Sequence, residues 1–190
     1  PELHKSYMLL TDDKTLLYQI ALTLLPGVGD INARKLISFT GSPEAVFVEK
    51  RSHLLRIPGM GDATVNLIMS NRKVLDRAAR EIEFIRKFNI NTLFYTDTGY
   101  PERLKQCTDS PVLVYTLGNA DLNKAKIVSI VGTRRATEYG KEICRKLVTG
   151  LVEHDVLVVS GLAYGIDTCA HKAALDEGLQ TTGVLAHGLD

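Results

Sequence analysis

Residues 127–135 read Ile-Val-Ser-Ile-Val-Gly-Thr-Arg-Arg, an apolar run that ends in a glycine and two arginines. A short apolar run bounded by a turn signal is typical of a buried β-strand. Two similar runs follow, at Val156–Ser160 and Thr181–Leu185, and each is preceded by a stretch long enough for a helix. Strands that alternate with helices in this way predict a parallel sheet.

The second half of the chain therefore predicts an open α/β fold of the doubly wound kind. Its helices are expected over Glu138–Glu153 and Ile166–Glu177. The strands are apolar throughout, which is typical of parallel strands covered on both faces. Three strands make an incomplete sheet of this kind, and the chain begins at Pro1 rather than Met. We therefore expect a fragment, with the parallel sheet truncated.

A repeated hexapeptide organises the first half of the chain. Leu-Pro-Gly-Val-Gly-Asp at 25–30 recurs as Ile-Pro-Gly-Met-Gly-Asp at 57–62. Proline cannot continue the preceding helix, and the two glycines permit a tight turn before the next one. We predict an all-helical domain of helix-hairpin-helix (SAM-like) motifs over residues 1–88, with a long last helix that breaks near Asn71. Residues 89–190 are assigned to the α/β domain.

The intervening segments give further expectations. Ile31–Phe39 and Ala45–Ile57 are predicted as helices of the first domain. Asn91–Tyr95 is predicted as a short strand, and Val112–Leu117 as another. A turn at Tyr100 leads into a short helix between these two strands.

Charge is distributed unevenly along the chain. The net charge is only +1, but residues 31–90 hold eleven Lys and Arg against six Asp and Glu, and residues 124–146 hold seven against two. Residues 147–190 hold one against six. Two separate basic stretches fit two contacts with a polyanion. Solvated helix faces would give the same pattern, so charge alone leaves both readings open.

Several protein classes are excluded by composition. The three cysteines, Cys107, Cys144 and Cys169, are widely spaced and form no C-x-x-C motif, which disfavours a disulfide framework or structural zinc and favours a reduced, cytoplasmic location. No basic-apolar leader and no run of about 18 apolar residues occurs, so no membrane association is expected. With no Trp and few Phe and Tyr, weak base preference is expected of any nucleic-acid site.

The principal candidate site lies where the first two parallel strands end, because ligands of open α/β sheets bind at the carboxyl ends of the strands. Gly132 would leave room for a ligand, and Arg134 offers a planar guanidinium to a phosphate. Ser160 would offer a hydroxyl donor, and Asp167 would cap the following helix. The predicted site residues are Gly132, Thr133, Arg134, Arg135, Ser160, Gly161, Leu162, Ala163 and Gly165.

The same features have plainer interpretations. A glycine after a strand is commonly a turn, and Ser-Gly at a strand end is commonly the exit to a helix. The pattern is not the G-x-G-x-x-G fingerprint, which disfavours NAD. We give weight to the coincidence of two glycine-bearing loops at adjacent strand ends, one of them with paired arginines.

The hexapeptide repeat supplies a secondary candidate site. A Gly-x-Gly hairpin exposes backbone N–H groups at the start of a helix, where a phosphate can bind. The predicted residues are Gly27, Gly29, Arg34, Lys35, Gly59 and Gly61. The first copy is favoured, because the second has no Lys or Arg before Arg72. Asp30 and Asp62 would cap the helices and partly repel a phosphate. A packing module is the alternative.

No catalytic residues, metal or cofactor are expected. Cys169 and His171 stand two apart on a predicted helix and face different ways, so they form no nucleophile–base pair. His171 is more commonly a packed or hydrogen-bonded residue than a base. A nucleotide-processing hydrolase would need a P-G-G-x-G-T loop and a catalytic Glu, and neither is present. That hydrolase and a protein-interaction scaffold remain the alternatives to a DNA-binding module.

Several of these stretches resemble the DNA-processing protein A (DprA/Smf) family. The most specific is Ser-Gly-Leu-Ala-Tyr-Gly-Ile-Asp at 160–167. The others are residues 127–134, Tyr139-Gly140, Ala170-His171, Ala174-Leu175, Gly188-Leu189-Asp190, and the stretch from Tyr100-Pro101 to Gly118-Asn119. The resemblance covers nearly all of the chain and implies a Rossmann-like core preceded by an accessory helical domain.

This resemblance implies a non-catalytic protein that binds single-stranded DNA, protects incoming strands in natural transformation and helps to load the recombinase RecA. It places phosphate contacts on Gly132, Thr133, Arg134, Ser160, Gly161 and the loop 162–165. The family domain continues past Asp190 with strands that carry dimer and recombinase contacts. A homodimer is therefore expected of the full-length protein, and a monomer is the alternative for this fragment. Ala186-His187 departs from the family pattern.

Overall fold

The computed structural model describes residues 11–71 and 73–189, so residues 1–10 of the predicted helical domain, Arg72 and Asp190 lie outside the described residues. The chain divides after Leu117 into two compact units, here called the helical unit and the α/β unit. Within the described ranges, no helix combines the length and hydropathy needed to cross a bilayer.

The helical unit contains the predicted helices and an antiparallel strand pair. Its elements are α1 (Thr11–Thr23), α2 (Asp30–Thr40), α3 (Pro43–Val48), α4 (Arg51–Leu54), α5 (Asp62–Ser70), α6 (Lys73–Lys87), β1 (Asn91–Phe94), α7 (Glu102–Lys105) and β2 (Leu113–Thr116). Strand β1 pairs with β2, with Asn91 opposite Thr116. The break near Asn71 is confirmed, since α5 ends at Ser70 and Asn71 leaves helical geometry.

One predicted helix is wrong in detail. Ala45–Ile57 was expected as one helix, but it forms two short helices, α3 and α4, separated by Glu49 in extended geometry (φ −68°, ψ 150°). The Glu49 carboxylate accepts a hydrogen bond from the Lys50 N–H at 2.8 Å, a local bond that competes with the helix ladder. The break lets Val46 and Leu54 both reach the same core, where each is fully buried.

The division after Leu117 differs from the expected boundary between residues 88 and 89. Ile90, Phe94, Val112 and Leu113 are buried in the same apolar core as the helices α1 to α6. A two-stranded ribbon is marginally stable alone, so β1 and β2 bury their apolar side chains on the helices instead. The predicted α/β domain therefore loses its first 29 residues to the helical unit.

The α/β unit contains the predicted alternation of strands and helices. Its elements are β3 (Ile127–Ser129), α8 (Glu138–Gly150), β4 (Leu157–Ser160), α9 (Ile166–Asp176) and β5 (Thr181–Gly183), with a 3₁₀ turn at Val152–His154. The strands are parallel and ordered β3-β4-β5. The expected open parallel Rossmann-like sheet is confirmed.

Both helices of this unit lie on one face of the sheet. Helices α8 and α9 pack against each other and against the side of the strands that holds Val156 and Val158. Right-handed crossovers between sequential strands place both helices on the same side. Ala170 and Ala174 are fully buried there, and their small side chains allow close contact between helix and sheet. The expectation of helices on both faces is not met within the described part of this unit.

Candidate nucleic-acid interface

The loops that follow β3 and β4 begin side by side. The Ile130 N–H donates to the Val159 carbonyl at 2.9 Å, which extends the strand pairing by one residue. The Ser160 hydroxyl donates to the Ile130 carbonyl at 2.5 Å. The strand ends at the predicted site are therefore adjacent, as parallel pairing requires. We call residues 131–136 and 161–165 the rim.

Two hydrogen bonds join the loop that follows β3 to the start of α9. The Ile166 N–H donates to the Thr133 carbonyl at 3.2 Å. The Gly132 N–H donates to the Asp167 carboxylate at 3.3 Å, and Asp167 is only 7% exposed. Because the carboxylate is buried, losing this contact would leave a polar group unsatisfied. The start of α9 thus fixes the loop that follows β3.

Glycines at the rim allow this close packing. Gly165 has a φ of +94°, and a Cβ placed on it would lie 2.1 Å from the Thr133 carbonyl oxygen. A Cβ on Gly132 would lie 2.7 Å from the Ile166 side chain. The predicted reason for Gly132, room for a ligand, is wrong, because Ile166 fills that space. The glycines allow the loop after β3 to pack closely against Gly165 and Ile166.

Two predicted roles change in the structure. Ser160 was expected to offer its hydroxyl to an anion, but it is 3% exposed and its proton is committed to Ile130. Asp167 was expected to cap α9, yet the N-cap is Gly165 with no side-chain cap, and the carboxylate bonds to Gly132. Both residues hold the rim together from beneath.

His171 ties the loop after β4 to the next strand. Its Nε2 lies 2.8 Å from the Gly161 carbonyl, and its Nδ1 lies 2.6 Å from the Thr181 hydroxyl. A carbonyl can only accept, so Nε2 carries a proton. The interpretation of His171 as a hydrogen-bonded residue is confirmed, and its ring is used to position Gly161.

The outer surface of the rim is cationic. Thr133, Arg134 and Arg135 are all exposed, and neither guanidinium forms an ion pair with any residue of the described ranges. The nearest acidic residue in sequence, Glu138, is hydrogen-bonded to Lys141 at 2.7 Å, and this bond lowers the pKa of the Glu138 carboxyl. The arginines are therefore available to an external anion.

Tyr164, an aromatic residue that is not among the predicted site residues, is next in sequence to the glycine that packs against the arginine loop. Tyr164 is 85% exposed and directly precedes Gly165, whose backbone lies against Thr133 and Arg134. Tyr139, at the start of α8, is 73% exposed. Exposed aromatic rings are surfaces on which unpaired bases stack. Tyr164 lies in a loop between Gly161 and Gly165 at the end of a strand. That position was the signal in the sequence that could have identified it.

The remaining predicted residues of the loop after β4 have mixed surroundings. Leu162 is 60% exposed, but it lies against β5, where a Cβ on Gly183 would be 2.6 Å from it. The Ala163 carbonyl accepts from the Thr168 N–H at 3.2 Å and from its hydroxyl at 2.7 Å. These contacts support the loop, and Leu162 adds an apolar edge to the rim.

The secondary candidate residues behave differently at the first hairpin. The Arg34 guanidinium donates to the Ser110 carbonyl at 2.8 Å and to its hydroxyl at 2.5 Å, and it lies 5.2 Å from the centre of the Tyr95 ring. The Asp30 carboxylate accepts from the Val112 N–H at 2.8 Å. The first hairpin thus holds the segment 107–113 of its own unit, which is the packing role considered above.

The second hairpin keeps its glycine geometry and an open side. Gly59 has a φ of +85°, and Gly61 is the N-cap of α5 with no side-chain cap. Asp62 forms an ion pair with Arg51 at the surface. The Lys35 ammonium lies 3.6 Å from the position of a Cβ on Gly59, so Lys35 of the first copy reaches the hairpin of the second.

The His, Cys, Asp and Glu residues of the described ranges are the potential metal ligands, and two of the thiols among them are buried. No cluster of three or more His, Cys, Asp or Glu there could hold a metal ion. Cys144 and Cys169 are buried free cysteines, and burial raises the pKa of the Cys144 thiol to about 11. That thiol stays protonated, and therefore unreactive, near neutral pH.

Comparison with known proteins identifies relatives over both units. The sequence profile of the family described as DNA recombination-mediator protein A matches residues 91–190. The DNA processing protein DprA of Streptococcus pneumoniae is 45% identical over 94 residues, which are 50% of this chain and 33% of that protein. Protein Smf of Synechocystis is 30% identical over 177 residues, which are 91% of this chain and 44% of that protein.

The fold has a solved counterpart. The X-ray structure of DprA from Streptococcus pneumoniae aligns with a TM-score of 0.65 and 27% identity, covering 96% of this chain and 60% of that one. The chain thus spans less than half the length of the two curated relatives and under two thirds of the solved structure.

Proposed function

Because the chain belongs to the DNA recombination-mediator protein A family, we propose that it binds single-stranded DNA at the rim and does so without catalysis. The observation that carries the proposal is the pair of exposed guanidinium groups, Arg134 and Arg135, on a single loop that is hydrogen-bonded to the start of α9. A guanidinium matches the geometry of a phosphate with two parallel hydrogen bonds.

Some backbone amides at the rim are committed to contacts within the protein. The N–H groups of Gly132, Arg135 and Ile166 are already bonded there. Those three donors are not available to a phosphate, whereas the Arg134 and Arg135 side chains are exposed. Phosphates would meet Arg134 and Arg135 from outside, in keeping with contacts that fix the strand without reading bases.

Preference for single strands follows from the exposed aromatic ring. Tyr164 can stack with a base only when that base is unpaired, since a duplex hides both faces of its bases. The arginines alone would bind either form. We propose that Tyr164 supplies the discrimination and that base identity matters little, because every base has a stacking face.

The partners proposed for the whole protein follow from the family. Single-stranded DNA is the ligand of the rim. We extend the proposal to protection of incoming strands, loading of RecA and a homodimeric state in the full-length protein, in the cytoplasm. The DprA relative and the solved structure named above carry DNA processing in their names, and the matching family is described as a DNA recombination mediator, which supports a role in DNA recombination or transformation.

Reversing the charge of Arg134 tests the proposal directly. Arg134→Glu removes one phosphate contact and adds repulsion, so affinity for oligo-dT is expected to fall roughly ten-fold or more at low salt, and the log–log salt slope to shrink by about 0.7. Fluorescence anisotropy titrations with single- and double-stranded oligomers at two salt concentrations measure both. Arg145→Glu, an equal charge change on exposed α8, is the control. Equal behaviour of the two variants would remove Arg134 from the site.

Truncating Tyr164 tests the preference for single strands. Tyr164→Ala is expected to weaken oligo-dT binding about ten-fold, because base stacking on an aromatic ring contributes roughly 1–3 kcal/mol. Binding to a duplex of the same length should change little. Tyr164→Phe keeps the ring and should keep the affinity. A Tyr164→Ala variant that loses single- and double-stranded binding to the same extent would contradict the stacking role.

A further inference from the structure

The two hexapeptide copies of the helical unit differ in a way that their sequences hide. They are offset by 32 residues, so Lys35 in the first copy corresponds to Leu67 in the second. A Cβ on Gly27 would lie 3.8 Å from Leu67, and one on Gly59 would lie 3.6 Å from the Lys35 ammonium. A glycine of each hairpin therefore lies near the corresponding residue of the other copy. The first hairpin, at Gly27, is near the apolar Leu67, and the second hairpin, at Gly59, is near the cationic Lys35.

The first hairpin, which lies near Leu67, is followed by a helix that bonds to another segment of the same unit. Its following helix, α2, binds the Val112 N–H through Asp30 and the Ser110 backbone through Arg34. Pro111 and Val112 line the recess beside Gly29. A ligand at this hairpin would have to displace the segment 107–113.

The second hairpin, which lies near Lys35, borders an open groove of about 460 Å³. Lys35, Ser38 and Phe39 line it from α2, and Pro58 lines it from the hairpin. Lys35 forms no ion pair with a residue in the described part of the chain, and Phe39 is 45% exposed. Residues four apart share one face of a helix, so the ammonium and the ring stand next to each other.

We propose that this groove binds a nucleotide segment of single-stranded nucleic acid, with a phosphate on Lys35 and a base stacked on Phe39. The inference rests on the proposed function, which supplies the ligand class. The volume of the groove lies within the range of about 300–1,000 Å³ that is typical of small-ligand pockets, and it is large enough for one nucleotide. The cation favours a phosphate electrostatically, and the adjacent ring offers the stacking face that binders of unpaired bases use. The proposed groove borders the second hairpin, whereas the sequence favoured the first hairpin as a DNA contact. Its phosphate ligand, Lys35, still comes from the first copy.

The experiment uses the full chain and two backgrounds, the unsubstituted protein and Arg134→Glu. Lys35→Glu and Phe39→Ala are introduced in both, with Lys73→Glu as an equal charge change at an exposed lysine of α6 outside the groove. Oligo-dT affinity is expected to fall roughly five-fold with Lys35→Glu and about ten-fold with Phe39→Ala in either background. Photocrosslinking with 5-iododeoxyuridine oligomers should label the tryptic peptide 36–50, and labelling of the corresponding peptide 35–50 should be reduced in Lys35→Glu, which removes the cleavage site after residue 35.

The outcomes separate the groove from the rim. Loss of affinity in the Lys35 and Phe39 variants with no effect of Arg134→Glu would support the groove and overturn the rim. Groove variants that match Lys73→Glu, with peptide 36–50 unlabelled, would overturn the groove alone. No binding of oligo-dT by the unsubstituted chain would overturn both. Binding of an acidic aromatic peptide that Lys35→Glu abolishes, with no crosslink to DNA, would overturn the nucleic-acid assignment and indicate a protein partner.

Discussion

Replacing Gly165 with alanine is expected to remove a large part of the stability of the α/β unit. The φ of +94° lies where side chains are strained, and the added Cβ would meet the Thr133 carbonyl oxygen at 2.1 Å and the Arg134 carbonyl carbon at 2.7 Å. Both obstacles are backbone atoms of the rim, so no side-chain rotation can relieve them. Backbone strain and overlap together should cost at least about 3 kcal/mol, a large part of a small domain's stability.

A second glycine provides the control for this prediction. Gly178 also has a positive φ, +74°, but a Cβ there would meet nothing within 4 Å. Gly178→Ala should therefore cost only the conformational strain, about 1 kcal/mol. Urea unfolding followed by circular dichroism, with hydrogen exchange read on peptides from residues 118–189, compares the two. Equal losses for the two variants would show that the loop contact at Gly165 contributes nothing beyond its backbone angle.

The elements of the fold could be predicted because their signals are local. Apolar runs of five residues, bounded by glycine, gave β3 and β4 at nearly their observed bounds. Proline and paired glycines marked both hairpins of the helical unit. These signals depend on residues close in sequence, so they survive without knowledge of the tertiary structure.

Tertiary partners could not be predicted, because a residue type defines what it can bond to and leaves open which group it meets. Arg34 looked like a phosphate ligand and meets Ser110, 76 residues away. Asp167 looked like a helix cap and meets Gly132, 35 residues away. The packing of Phe94 on the helices could not be predicted either, because nothing local to Phe94 shows that contact.

The structure also changes the physical account of the rim. The sequence suggested a cradle of glycines and backbone donors. In the structure, the donors of Gly132 and Ile166 are bonded between the loops, and Asp167 and His171 brace them. A braced surface presents its arginines and Tyr164 with little backbone entropy left to lose, which favours binding.

Two neighbouring cations of α2 give the second large effect. Arg34→Met is expected to destabilise the helical unit by about 3 kcal/mol, because the thioether keeps the aliphatic stem and removes every donor to Ser110 and the segment before it. The Ser110 acceptors left behind are partly buried, those of Cys107 and Thr108 are exposed, and all of them lose charge-assisted bonds. Lys35→Met should leave stability nearly unchanged, since the ammonium bonds to no residue of the described ranges.

DNA binding should show the reverse pattern, with the larger effect in Lys35→Met and the smaller effect in Arg34→Met. Folded Arg34→Met should lose less oligo-dT affinity than Lys35→Met, since the Arg34 guanidinium is bonded to Ser110 although the side chain also lines the groove. Urea midpoints and hydrogen exchange at residues 107–113 report the first effect, and anisotropy titrations report the second. An Arg34→Met variant of full stability and reduced affinity would place that guanidinium on the ligand, and the inward contacts with Ser110 would then lack any stabilising role.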